Sequence, residues 1–273
     1  MNRVLILTNK NSISVKSLIN ESIKEKLDIE EVILLEQNLL YYFRLFRFVL
    51  KRVGLLETII FSIVKLVSEF IHEIFFYNSL NIHQLIKKNN LNFKSFKNQK
   101  NWQLKLSNYI DTKESKIILI GQTGILGQEF NLFRKDRLFI NCHPGDLPQY
   151  RGLDSFKWAI FENKLNSLKI SIHIVREKID SGEILHKEKY DFKNISWFFS
   201  DRQLLIISGK KLARYIKKIS DKNCLKENIL KIAMNQESKM LRFKMNLIKE
   251  IKTYFLFKSI KKLITNNTFR KDL

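Results

Sequence analysis

An α/β fold is predicted for this chain: a doubly wound, mostly parallel, Rossmann-like sheet with a helical insertion and a helical C-terminal extension. Three observations predict it. Short apolar runs of strand length recur, RVLILT at 3–8, EVILLE at 31–36, KIILIG at 116–121 and RLFIN at 137–141. They are nearly continuous rather than alternating, as in strands buried on both faces. Helical patterns separate strand patterns, which favours a parallel sheet. Finally, both prolines and six of the eight glycines lie between 121 and 182, so special backbone geometry is confined to one third of the chain.

Taken in order, the N-terminal run is too short for a secretory leader and meets polar residues at once, so it is read as the first strand. Residues 13–26 follow as a helix with Ser12 or Ser14 as N-cap. A short helical or irregular piece separates the strands at 116–121 and 137–141. ISIHIV at 170–175 and EILHKEKY at 183–190 read as two further strands, joined by a turn at DSG, 180–182. Residues 38–104 break the alternation. Arg44, Arg47, Lys51 and Arg52 share one helical face, and Thr58, Ser62, Lys65, Glu69 and His72 form a narrow polar stripe on the next helix. This span is read as a helical insertion. An apolar face left exposed on the 55–77 helix would mark a dimer interface, so a homodimer is compatible with the pattern. Residues 191–273 contain one glycine, Gly209, and no proline, and lack the turn signals of a β-barrel. There Leu247, Ile248, Ile251, Phe255, Ile260 and Ile264 mark the apolar face of a helix with lysines opposite. The expected division is 1–190 for the catalytic domain, insertion included, and 191–273 for a basic helical extension.

The formal charge is +22, and residues 201–273 carry 19 Lys/Arg against 6 Asp/Glu. Such an excess fits nucleic acid or an anionic membrane. The lysines are spread through the whole chain, however, so solvated lysine faces are preferred to a nucleic-acid site, and basic helices that cover the sheet to helices lying on a membrane. Cys142 and Cys224 give neither a disulfide framework nor a CxxC metal pair. No uncharged apolar stretch of spanning length occurs, so no transmembrane segment is expected and the cytoplasm is the expected location.

The chemistry is expected in Asn141-Cys142-His143-Pro144-Gly145-Asp146-Leu147-Pro148-Gln149-Tyr150-Arg151-Gly152, which follows a strand directly. Side chains alternate along a strand, so Asn141 and His143 point one way and Cys142 the other, into the core. Ligands of open α/β sheets bind at such strand ends. There an amide N–H can donate to a developing oxyanion, and an imidazole can donate to the same centre. Asp180, after the strand containing His173, is placed to orient His143, stabilise positive charge on it and take a proton from an attacking amine. Asp146, beside the site, is read either as a contact to a polar substrate or as a cap of the following turn, the cap being preferred. Arg151 is a reasonable phosphate contact.

The N-x-H-P-x-x-L-P-x-[YF]-x-G segment, followed by H-x-V-x-x-x-x-D-x-G, resembles the folate-dependent formyltransferases, which include glycinamide ribonucleotide, methionyl-tRNA and sugar N-formyltransferases. The resemblance implies catalytic roles for Asn141, His143 and Asp180, with 10-formyltetrahydrofolate as donor and no metal. It implies that Gly121, Gly124, Ile125 and Leu126 receive the pterin ring, with Arg176, Glu177 and Asp180 as the opposite wall of that pocket. Tyr150, Arg151, Gly152, Ser171 and His173 would line the substrate side. The loop Thr8-Asn9-Lys10-Asn11-Ser12 lacks the glycine-rich phosphate cradle of the glycinamide ribonucleotide enzymes, and the C-terminal region lacks the barrel of the methionyl-tRNA enzymes. By elimination within the family, the expected acceptor is a small amine, an amino sugar on a nucleotide. The alternatives are a methionyl-tRNA formyltransferase-like enzyme without the barrel, and a non-catalytic nucleic-acid-binding protein on the same fold.

Overall fold

The computed structural model describes residues 3–10, 12–38, 43, 46–47, 50–51, 54–60, 62–63, 67, 82–99, 101–123, 126, 137–176, 178–221, 241–242 and 245–269. Its frame is a seven-stranded sheet. The strands are β1 (Val4–Asn9), β2 (Ile29–Glu36), β3 (Phe93–Lys97), β4 (Ile117–Gly121), β5 (Leu138–His143), β7 (Lys169–Ile174) and β8 (Ile184–Lys189), in the order β3-β2-β1-β4-β5-β7-β8. The pairs from β3 to β5 are parallel, and β7 is antiparallel to both of its neighbours. The expected α/β, mostly parallel architecture is therefore present.

Strand alternation builds two cores. On one face Val4, Ile6, Val32, Leu34, Ile140 and Cys142 meet α1 (Ile13–Lys24), α2 (Ile82–Lys88) and α5 (Ser200–Asp221). On the other, Leu5, Leu7, Ile33, Ile118 and Phe139 meet Leu106 and Ile110 of α3 (Trp102–Asp111). Helices α1 and α5 lie close because Gly209 carries no side chain; a Cβ there would stand 2.2 Å from the carbonyl oxygen of Ser14. A third, aromatic core joins α4 (Ser155–Phe161) to α6 (Leu247–Phe269) through Phe156, Phe192, Trp197 and Phe257. A two-stranded patch, β6 (Arg151–Gly152) with β9 (Leu241–Arg242), ties the motif segment to the C-terminal part.

Two spans set apart in the sequence contribute to this frame. The span 38–104, read as a helical insertion, contributes β3, the sheet's edge strand. Its sequence FKSFK is short and carries two lysines, a pattern that blunts an exposed edge and hides the strand from a search for apolar runs. In the span 191–273, read as a basic helical extension, Leu212, Ala213 and Ile216 of α5 pack into the first core. Arg44, Arg52, Lys65, Glu69 and His72 lie outside the described residues. Among the described ones, Leu55, Leu56, Ile59, Ile63 and Val67 are exposed. The apolar face expected on α6 is divided: Ile260 is buried together with Phe257, whereas Ile248, Ile251 and Phe255 face outward.

Candidate active site

The antiparallel register of β5 and β7 sets the site. Asn141 stands opposite His173, and His143 opposite Ser171. Each pair lies on one face of the sheet, because directly opposed residues share a face. Cys142 falls on the other face, buried among the β-strand and α5 side chains, and burial pushes its thiol up to about 12. It is a core residue with no thiolate character at neutral pH.

His173 is fully enclosed, and burial lowers its pKa to about 4. Its Nδ1 lies 2.9 Å from the carbonyl oxygen of Ile174, which fixes the proton on Nδ1 because a carbonyl can only accept. Nε2 is then an acceptor, and the Asn141 amide nitrogen donates to it at 3.3 Å. One of the two amide hydrogens of Asn141 is used in this way, and its side chain is thereby oriented.

His143 is held by the same logic. Its Nε2 lies 2.7 Å from the carbonyl oxygen of Tyr150 and 3.0 Å from the Ser155 hydroxyl. The Tyr150 carbonyl fixes the proton on Nε2, leaving Nδ1 to face the Asp180 carboxylate at 3.5 Å. Asp180 is held in turn by the Gly152 N–H at 2.9 Å and stands 3.8 Å from His173 Nε2. Burial acts to raise the Asp180 carboxyl, but His143 in its protonated form, the Gly152 N–H and Arg151 outweigh it and hold it below the ordinary carboxylate range. His173, uncharged above about pH 4, adds little of this at neutral pH. Asp180 adopts φ 48°, a left-handed conformation that non-glycine residues enter at a cost, often at functional sites. Gly182 closes this turn against the strand: a Cβ there would stand 1.7 Å from the carbonyl oxygen of Ile174.

Several expected contacts take other forms. The Tyr150 side chain packs in the aromatic core, where its hydroxyl donates to Glu162 at 3.0 Å, and its carbonyl faces His143. Arg151 is buried and its Nε donates to the carbonyl oxygen of Ile179 at 2.9 Å, so it clamps the Asp180 loop. Ser171 donates to the Gly145 carbonyl at 2.7 Å and accepts from the Leu147 N–H at 3.0 Å, which fixes the motif turn. Arg176 grips Glu183 with two bonds of 2.8 and 2.7 Å. Asp146 is no cap: it is buried and accepts from Lys187 at 2.7 Å, with Lys169 3.8 Å away. Arg151, Ser171 and Asp146 have partners 28, 24 and 41 residues away in sequence, which local patterns do not reveal. Gly121 ends β4 and Leu126 is buried in the second core, whereas Gly124, Ile125 and Glu177 lie outside the described residues.

Two contributors carry no sequence signal. Ser155 reaches His143 from the first residue of α4. Gln122, within the predicted pterin loop, turns its side chain to the start of α1. Its Oε1 accepts from the Ser12 hydroxyl at 2.7 Å and from the N–H of Ile13 at 3.1 Å and Ser14 at 3.4 Å. Together with Ser12, which accepts from the Val15 N–H, it satisfies the N–H groups that helix N-termini otherwise offer to anions.

Residues 65–194 match the family model described as Formyl transferase. Among solved structures, the chain resembles phosphoribosylglycinamide formyltransferase from Bacillus halodurans, with a TM-score of 0.53 at 14% identity over 82% of this chain and 98% of that one. It also resembles the enzyme of the same name from Brucella melitensis, with a TM-score of 0.52 at 16% identity, covering 80% and 95% of the two chains. Glycinamide ribonucleotide transformylase 1 from Symbiobacterium toebii gives a TM-score of 0.51 at 10% identity over 81% and 89%. At these identities the likeness is one of fold.

Proposed function

We propose that this chain, an enzyme carrying a formyl transferase domain at residues 65–194, takes its formyl group from 10-formyltetrahydrofolate and delivers it to the primary amine of an amino sugar carried on a nucleotide. The observation that carries the reading is the cluster at β5 and β7, in which Asn141, His143 and Asp180 are each oriented by a hydrogen-bond or ring-nitrogen partner. The donor supplies an activated formyl carbonyl. The residues present suit such a group: Asn141 keeps one amide hydrogen beyond the one used on His173, a donor suited to a carbonyl oxygen that gains negative charge. His143, with Asp180 3.5 Å from its Nδ1, supports the same negative charge when Nδ1 is protonated. Asp180, kept ionised, orients His143 and accepts the proton that the attacking amine must lose. The segments 121–126 and 176–180 are the walls proposed for the folate.

The acceptor reading draws support from Gln122. An acceptor bearing a phosphate finds its usual seat at a helix N-terminus following a β-strand. At α1 that seat is filled by the Gln122 carbonyl and the Ser12 hydroxyl, which disfavours glycinamide ribonucleotide and favours an acceptor recognised elsewhere.

The test is turnover of 10-formyltetrahydrofolate by the purified chain against a panel of amino-sugar nucleotides and glycinamide ribonucleotide. One sugar should be formylated, and Asp180→Asn should lower its turnover about a hundred- to ten-thousand-fold. Preferred turnover of glycinamide ribonucleotide would sink the acceptor reading. Wild-type-like rates in Asp180→Asn would sink the catalytic assignment.

A further inference from the structure

Helix α6 is apolar on both sides. Thr253, Phe257 and Ile260 are buried, the last two in the aromatic core. The opposite side carries Ile248, Ile251 and Phe255, three and four residues apart and therefore on one face. They are 64%, 50% and 61% exposed. A group of exposed apolar side chains on one side of a helix marks a contact surface. Phe198 extends the patch: it is 72% exposed, and its ring lies 5.7 Å from that of Tyr254, itself 5.6 Å from Phe255. Lys252 and Lys258, both exposed, border it along the helix.

Charge decides what covers this face. A second copy would bring two lysine-bordered patches together on chains that each carry +22. A nucleic acid matches the lysines, but its phosphates give Ile248 and Ile251 nothing apolar to enter. An anionic bilayer matches both, since headgroups attract the lysines and the acyl boundary receives the Ile and Phe side chains. No helix of the described residues is long and apolar enough to cross a membrane, so the contact is peripheral. We propose that the outer face of α6, together with Phe198, docks this protein on an anionic lipid surface.

The experiment is co-sedimentation of the full chain with vesicles of phosphatidylcholine and phosphatidylglycerol, and with vesicles of phosphatidylcholine alone, at low and high salt. A triple variant, Phe198→Ser, Ile251→Ser and Phe255→Ser, and a double variant, Lys252→Glu and Lys258→Glu, are run beside the wild type, with thermal melts to show that they fold. Wild type should partition onto the anionic vesicles at low salt and not onto the neutral ones. Each variant should lose about tenfold or more of that partition. The proposal fails if wild type stays in the supernatant with anionic vesicles at low salt. It fails equally if the folded triple variant partitions like wild type. Should the triple variant instead abolish a dimer, or binding to a single-stranded RNA oligonucleotide, while vesicle partition is unchanged, the face belongs to a second copy or to nucleic acid.

Discussion

Asn141 shows how much one side chain can depend on the protonation of another. His173 accepts from its amide only while Nε2 is unprotonated, and burial keeps it so down to about pH 4. The same shift couples to stability. An unfolded His173 takes up its proton near 6.5 and the folded one near 4, so between these values the unfolded state binds more protons. Stability therefore falls as pH drops from 6.5 to 4 and this contribution levels off below, by roughly 3 kcal/mol in all. Denaturant titrations at several pH values should show that loss in wild type and a flatter profile in His173→Gln. Tyr150 provides a contrasting residue. Its side chain packs in the aromatic core and its carbonyl meets His143. Tyr150→Phe should cost about 1 kcal/mol of stability through the lost Glu162 bond, measured by urea unfolding, and leave kcat within about twofold; a hundredfold fall would return the phenol to the site.

At the scale of elements, α1 is fixed at both its start and its flank. Gln122 and Ser12 cap its first turn, and Ser17 donates to the carbonyl of Ile206 on α5 at 3.0 Å, beside the close approach permitted by Gly209. Gln122→Ala should uncap the helix and lower stability by about 1 kcal/mol, read as a fall in Tm. Gly209→Leu should do more, about 3 kcal/mol or above, because backbone and not a pliable side chain stands where the new atoms would go. Both elements were partly legible in sequence: Ser12 as a cap, and β1 and the first helix by periodicity. The cap's second half was not, since Gln122 lies 110 residues further along the chain.

At the scale of the molecule, the question is what an apolar, lysine-bordered face does on a protein of charge +22. The sequence shows that residues 247–264 are helical and apolar with lysines between. Which side is buried depends on the packing of Phe257 and Ile260 against Phe156 and Trp197, and this packing leaves Ile248, Ile251 and Phe255 outside. The vesicle partition described above is the prediction that belongs to this scale.

The sequence by itself determined the α/β class, the strands carrying the motif and the pairing of Asn141 and His143 on one face, because side-chain alternation and buried apolar runs are local properties. It also brought out the resemblance that points to Asp180. Only the tertiary structure decided which polar groups hold which. The proton positions on His143 and His173, the clamp of Arg151 on Ile179 and the Asp146–Lys187 pair all arise across strands or loops. β3, too polar to stand out alone, is a strand only because β2 offers it an edge. Hydrogen bonds and burial depend on distance in space, which periodicity does not encode.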